Sequence, residues 1–221
     1  MSKKVKEKNL YSWDSVNGVK YWRIIDALQN EGDEITKQAE LISIIEDIDI
    51  DDVLNMSLQE SASKVKSLIF LNEFQMKEYR SLKTIVMGGK TYDVISDMSK
   101  MTTASFIDYQ TYIKLPFRDS YDKILSCFII PAGFIYNDGY DVMEVQELIR
   151  TELSWCMIQS ILSFLLARYA KSFNRSRAYL AKSIRMEKDP MKRAEMESKM
   201  KDMDLQIKIM VHQLQHLTGS V

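Results

Sequence analysis

Three aspartates spaced two apart, Asp47, Asp49 and Asp51, are the first residues whose types could do chemistry. A calcium-binding helix–loop–helix places carboxylates at loop positions one, three and five, a glycine at six for the turn and a bidentate glutamate at twelve. Counted from Asp47, position six is Asp52 and position twelve is Leu58, so the residues that close such a loop are absent. The stretch is instead expected to be a junction. Ile48, Ile50 and Val53 should point inward, while the aspartates stay in water near a helix start, where negative charge is favoured.

Other arrangements dissolve in the same way. His212 and His216, the only histidines, lie four apart and could share a zinc ion, but no carboxylate base lies between them and no third ligand is evident. Met87-Gly88-Gly89-Lys90 lacks the spacing of a phosphate loop and joins strand to strand. Asp138 and Asp141 could form a carboxylate pair, yet turn and capping roles explain both. There is no nucleophile-elbow glycine pattern to support a Ser-His or Cys-His mechanism. The expectation is a protein that is not an enzyme, with no catalytic, cofactor-binding or metal-ligating residues.

Charge and apolar patterning speak of surfaces instead. Net charge is −1, yet between Leu10 and Ala62 twelve acidic residues stand against Lys20, Arg23 and Lys37. Between Arg168 and Arg193 the balance reverses, with nine basic residues against Glu187 and Asp189. An acidic front thus accompanies a basic back. Arg168, Lys171, Arg175, Arg177, Lys182 and Arg185, interleaved with Tyr169, Phe173 and Tyr179, form the candidate contact for DNA or for an acidic partner. On a helix, Tyr169, Phe173 and Leu180 would continue a buried face while Arg175, Arg177 and Lys182 stay wet. Met196, Met200, Met203, Ile207, Met210, Leu214 and Leu217 alternate by four and three, as the a and d positions of heptads do, and are the candidate oligomer or partner interface.

The elements that position these residues are mostly helical, because seven glycines and three prolines in 221 residues leave few turns. Residues 1–9 form a basic arm without the apolar run of a signal peptide. Residues 10–80 read as an acidic helical lobe, with helices over Val19–Leu28 and Ile35–Ile45. A Ser57-Leu58-Gln59-Glu60 capping box opens a helix with apolar face Leu58, Ala62, Val65, Ile69 and Phe70. Residues 81–140 should hold a β-hairpin at about 83–95 around Gly88-Gly89, then helices over Thr103–Ile113 and Ser120–Ile129. In 141–221, a capping box at Asp141 and Glu144 should start one long helix reaching about Glu187. Asp189-Pro190 should start the heptad helix. The expected class is mainly α: a helical bundle with one small hairpin and a long C-terminal helical hairpin or coiled coil. Leu153 to Ala170 is long enough to consider as a membrane span, but Gln159, Arg168 and three serines favour a buried central helix. Cys127 and Cys156 sit in apolar runs and are expected as buried free thiols.

The order of these features resembles small helical proteins of tailed-bacteriophage structural modules, among them tail and baseplate assembly proteins and chaperone-like proteins with relatives in crAss-like phages. The resemblance rests on Leu10-Tyr11-Ser12-Trp13-Asp14-Ser15, Tyr21-Trp22-Arg23-Ile24-Ile25, the Asp-rich connector into Met56-Ser57-Leu58, and the hairpin around Gly88-Gly89-Lys90-Thr91-Tyr92. It continues through Met101-Thr102-Thr103 into Phe106-Ile107-Asp108 and Ile129-Ile130-Pro131, covering roughly residues 10 to 165. It implies a non-enzymatic virion or virion-assembly protein, located in the virion or in the host cytoplasm during assembly. The partners it implies are other phage structural proteins and copies of the chain itself, with no membrane. The alternative is an internal head or portal-associated protein that contacts packaged DNA through the basic helix 168–193.

Overall fold

The computed structural model describes residues 11–72 and 82–217. Contacts divide the chain into two compact units: Met1–Lys77 with Arg150–Ile158, and Glu78–Ile149 with Gln159–Val221. The expected basic arm, residues 1–9, lies outside the described residues.

The first unit begins with helices α1 (Gly18–Gln29) and α2 (Glu34–Glu46). Each starts where a short polar side chain takes up a first-turn amide that has no partner within the helix. Asn17 accepts from Lys20 N at 2.9 Å, and Asp33 accepts from Thr36 N at 2.9 Å. The aspartate stretch that follows is a junction made of caps. Asp47 closes α2 in the left-handed conformation (φ 55°, ψ 45°), which a short acidic side chain tolerates, and its carboxylate meets Lys20 at 2.6 Å. Asp49 caps the short helix α3 (Ile50–Leu54) by accepting from Asp51 N at 2.9 Å. Val53 is buried and Ile48 and Ile50 are half-buried, while Asp51 and Asp52 are exposed.

Ser57 caps α4 (Leu58–Ser67), accepting from Glu60 N at 3.3 Å. The face that α4 buries differs from the expected one. Leu58, Ala62 and Ile69 are exposed, whereas Lys64 and Val65 are half-buried and Ser67, Leu68 and Phe70 are buried. The reason is an ion pair that turns the helix: Lys64 Nζ reaches Glu46 at 2.5 Å, and Tyr11 donates to the same carboxylate at 2.5 Å. Burying Lys64 with its partner leaves the Leu58 side facing solvent.

The segment Arg150–Ile158 completes this unit. Trp155 N donates to Val16 O at 2.6 Å, Asn17 pairs with Ser154 as a lone antiparallel bridge, and Asn17 Nδ2 donates to Thr151 O at 2.7 Å. Trp155 is 1 % exposed and lies flat on Tyr21, with centroids 3.8 Å apart, and Trp22 meets it edge-on.

The second unit holds β1 (Thr84–Met87) and β2 (Lys90–Val94), an antiparallel hairpin in the register Ile85↔Tyr92 and Met87↔Lys90. Its two-residue turn needs positive φ twice, and Gly88 and Gly89 supply 55° and 69°. Helices α5 (Thr103–Tyr112) and α6 (Tyr121–Ser126) follow. The expected helix over Ser120–Ile129 ends earlier, because Ile129–Pro131 forms a third strand, β3, which pairs with β2 through Val94↔Ile129. That added strand gives the hairpin a neighbour, which a lone pair of strands needs for stability. Tyr92, Ile85 and Met87 bury one face of the sheet, and in the core Tyr109 stacks on Tyr169 while Phe128 meets Tyr109 edge-on.

The long helix expected from Asp141 is two helices, α7 (Val142–Glu152) and α8 (Trp155–Met186). The break at Leu153-Ser154 frees the backbone that bridges to Asn17, and Ser154 Oγ then caps α8 by accepting from Met157 N at 3.3 Å. The last helix, α9 (Pro190–Leu217), starts as the sequence indicates, with Asp189 accepting from Met191 N at 2.9 Å. The architecture is mainly helical with one small antiparallel sheet. Among the described residues no helix is long and apolar enough to cross a membrane.

Glycine is required at two turns for different reasons. A Cβ at Gly89 (φ 69°) would meet nothing within 4 Å, but one at Gly139 (φ 77°) would lie 3.1 Å from the Phe134 ring. Gly139→Ala is therefore expected to cost about 2 kcal/mol and Gly89→Ala about 1 kcal/mol. Thermal melting by circular dichroism checks the order, and equal losses would refute it.

Candidate interaction surface

A functional surface begins where α8 changes character. From Trp155 to Tyr169 the helix is core: Trp155, Ile158, Leu162, Leu165 and Tyr169 are each at most 3 % exposed. From Lys171 to Met186, among the residues whose side chains are described, only Ile184 is buried. The helix carries six basic residues and no acidic one. Arg168, Lys171, Arg175, Tyr179, Lys182 and Met186 recur every three or four residues, so they share one stripe, and every one of them is exposed. The Arg168 guanidinium rests 5.8 Å from the Phe164 ring centroid.

The six cations expected to act together are thereby separated. Arg168, Lys171, Arg175 and Lys182 form the exposed ridge, and Arg185 flanks it. Arg177 lies on the opposite side of α8, where its Nε meets Asp204 of α9 at 2.6 Å. Two residues from both Arg175 and Tyr179, it cannot share their face of a helix.

That ion pair makes α8 and α9 an antiparallel helical hairpin. Leu180 and Ala181 are half-buried beside Ile184 on α8. Met196 and Met200 of the heptad seam are half-buried, and Met200 lies one turn before Asp204. The side chains of Met203, Ile207, Met210, Leu214 and Leu217 lie outside the described residues, as does that of His216. His212 is exposed. Two ion pairs four residues apart, Glu195–Lys199 at 2.6 Å and Arg193–Glu197 at 3.2 Å, line the solvent side of α9.

Sequence reasoning named Tyr179 among the aromatics of the basic stretch but missed Met186 as a member of the ridge. The three- and four-residue spacing from Arg168 through Tyr179 to Met186 was the available signal, obscured because the neighbouring Tyr169 is buried and Leu180 half-buried. It also missed that Leu54 and Leu58, beside the aspartates, are 56 % and 90 % exposed.

Among the described residues, a part-open pocket and a buried core cluster also gather groups that could do chemistry. A cavity of about 240 Å3 lies among Tyr92, Phe134, Tyr140 and Val145. At its rim Lys90 and Glu144 neutralise one another at 3.1 Å. Asp141, on its lining, is the α7 cap, accepting from Met143 N at 2.8 Å. In the core, Tyr136 donates to Asp108 at 2.8 Å, and its hydroxyl lies 3.9 Å from Cys127 Sγ. Burial pushes the Cys127 thiol up to about 12 despite the Tyr136 contact, and Cys156 is also buried and outside any disulfide. A thiol so raised is almost wholly protonated near neutral pH and is not a nucleophile. Neither cysteine is expected to react with a thiol-specific disulfide reagent at about pH 8 until the protein is unfolded. Rapid labelling of native protein, read by mass spectrometry, would contradict this. Among the described residues no group of three His, Cys, Asp or Glu side chains is arranged to hold a metal ion.

Comparison with known proteins finds no matching family model, no matching curated protein and no matching solved structure.

Proposed function

We propose that this chain is a non-enzymatic component of a tailed-phage virion, or of the machinery that assembles one, and that it acts by binding other proteins. The observation that carries the binding role is the exposed ridge of α8, where four cations and two large apolar side chains line one side of a helix. A solvated helix face is ordinarily of mixed sign. A stripe that combines one sign of charge with exposed tyrosine and methionine has the composition of a protein contact. The phage setting is supported by the order of short motifs between residues 10 and 165.

Quantitative mass spectrometry of particles purified from the encoding phage tests the proposal. Several copies per particle would mark a tail, neck or baseplate subunit. Absence from particles but presence on assembly intermediates would mark an assembly factor. Absence from both would overturn the reading.

A further inference from the structure

The ridge on α8 has a counterpart elsewhere in the same chain. At the junction of α3 and α4, Leu54 and Leu58 are 56 % and 90 % exposed and are flanked by the exposed acids Asp49, Asp51, Asp52 and Glu60. On the ridge, Tyr179 and Met186 are 74 % and 72 % exposed and are flanked by Arg175, Lys182 and Lys171. Each stretch therefore sets two exposed apolar side chains among charges of one sign, and the two signs are opposite. The charges are also uncommitted: Lys171, Arg175 and Lys182 have no ion-pair partner among the described residues, and neither do Asp51 and Asp52.

We infer that the occupant of the α8 ridge is the acidic Leu54–Leu58 face of a second copy of this chain. Three observations favour this over a nucleic acid. The net charge is −1, so the molecule as a whole has no attraction for a polyanion. The cations occupy one stripe with Met186 and Tyr179 set among them, and a phosphate backbone would leave Met186 unpaired. The matching surface, with its own exposed leucines, is carried by the same chain. Opposite charges steer the encounter and fix register, while desolvation of the four apolar side chains stabilises the contact.

Because the two faces are different patches, the contact is head-to-tail: the acidic face of one copy meets the ridge of the next. Such a contact closes into a ring when its rotation allows and otherwise propagates as a filament. The ridge from Arg168 to Lys182 spans about 21 Å of helix, enough to engage a short helical junction along its length. This inference gives the assembly reading a partner, and its outcome does not depend on that reading. Self-association can fail while the protein is still found in particles, and it can succeed when particles lack it.

The test is sedimentation velocity on the full chain at rising protein concentration, first at about 0.1 M salt, where charges act over about 10 Å, then at about 1 M, where they act over about 3 Å. The expected result is association at low salt that weakens at least about tenfold at high salt. Two variants follow, Arg175→Glu with Lys182→Glu, and Asp51→Lys with Asp52→Lys, all at exposed positions. Each alone is expected to be monomeric. Mixed together they should associate again, because one retains a native acidic face and the other a native ridge, a recovery that misfolded variants could not give. A monomeric wild type at every concentration would overturn the inference, as would variants that associate like wild type. So would binding of a short DNA duplex that the ridge variant loses while its self-association is unchanged; that outcome would make the ridge a nucleic-acid site.

Discussion

Replacing Trp155 with alanine is expected to destabilise the first unit by about 3–5 kcal/mol, the range for deleting a large buried aromatic side chain. The side chain is 1 % exposed, stacked on Tyr21 at 3.8 Å and met edge-on by Trp22 at 5.7 Å. Its removal takes away transferred apolar area, leaves a cavity and loses two aromatic contacts at once. Trp155 also anchors a segment far from the rest of the unit in sequence, so its loss loosens the tie through Val16 and Asn17. All three tryptophans, Trp13, Trp22 and Trp155, belong to this unit. Fluorescence of the remaining two therefore reports its unfolding. A urea midpoint shifted down at unchanged slope is the expected result, and Trp155→Phe should recover part of it. A midpoint equal to wild type would show that the segment does not hold the unit together.

The second large effect is expected from Glu46→Ala, a loss of about 2–3 kcal/mol. Its carboxylate holds Lys64 and Tyr11 together, both at 2.5 Å, and Lys64 keeps only 14 % of its side-chain surface. Breaking a fully buried pair costs about 3–5 kcal/mol because the remaining charge is stranded, and Glu46, at 24 % exposure, retains some screening by water. Lys64→Met in the Glu46→Ala background should recover most of the loss, and a double-mutant cycle measures it.

The same group sets an acid limit. Burial alone would raise the Glu46 carboxyl, but hydrogen bonds from Lys64 and Tyr11 and the Lys64 charge outweigh it and hold the group below its ordinary 4.5. A depressed folded value means that the stabilisation is complete above 4.5 and disappears as pH falls through the folded value. Fluorescence-monitored stability should therefore decline below about pH 4.5 in wild type and less steeply in Glu46→Ala. Parallel declines would exclude Glu46 as the source. Tyr11 remains a donor throughout, since burial and then Glu46 push its hydroxyl well above the usual tyrosine range.

What the sequence disclosed follows from how local each cause is. Ser57, Asp189 and the Gly88-Gly89 turn were legible because a cap or a two-residue turn is decided within four residues. The expected mainly helical class was legible for a similar reason, since helical spacing is a short-range signal. The features that were not legible depend on distant partners. The α7–α8 break at Ser154 exists for a bridge to Asn17, and β3 exists because β2 offers an open edge at Val94. The α4 face is set by Glu46, eighteen residues before Lys64. At the interaction surface, the basic stretch could be read as a group of cations, but only the pairing of Arg177 with Asp204 shows which of them belong to the ridge.

The return of Arg150–Ile158 to the first unit also orders events during synthesis. Residues up to Lys77 emerge early, carrying Tyr21 and Trp22 without the ring that covers them. Trp155 follows almost eighty residues later, which at about 5–20 residues per second is a delay on the order of 4–16 s. Throughout that interval the nascent chain presents an aromatic patch to solvent while the sheet and the helices α5 and α6 are still being made. The last stage in folding the first unit is therefore its closing by a late-made segment of chain, and ribosome-bound chains stopped before and after Trp155 should differ sharply in protease resistance of the N-terminal fragment.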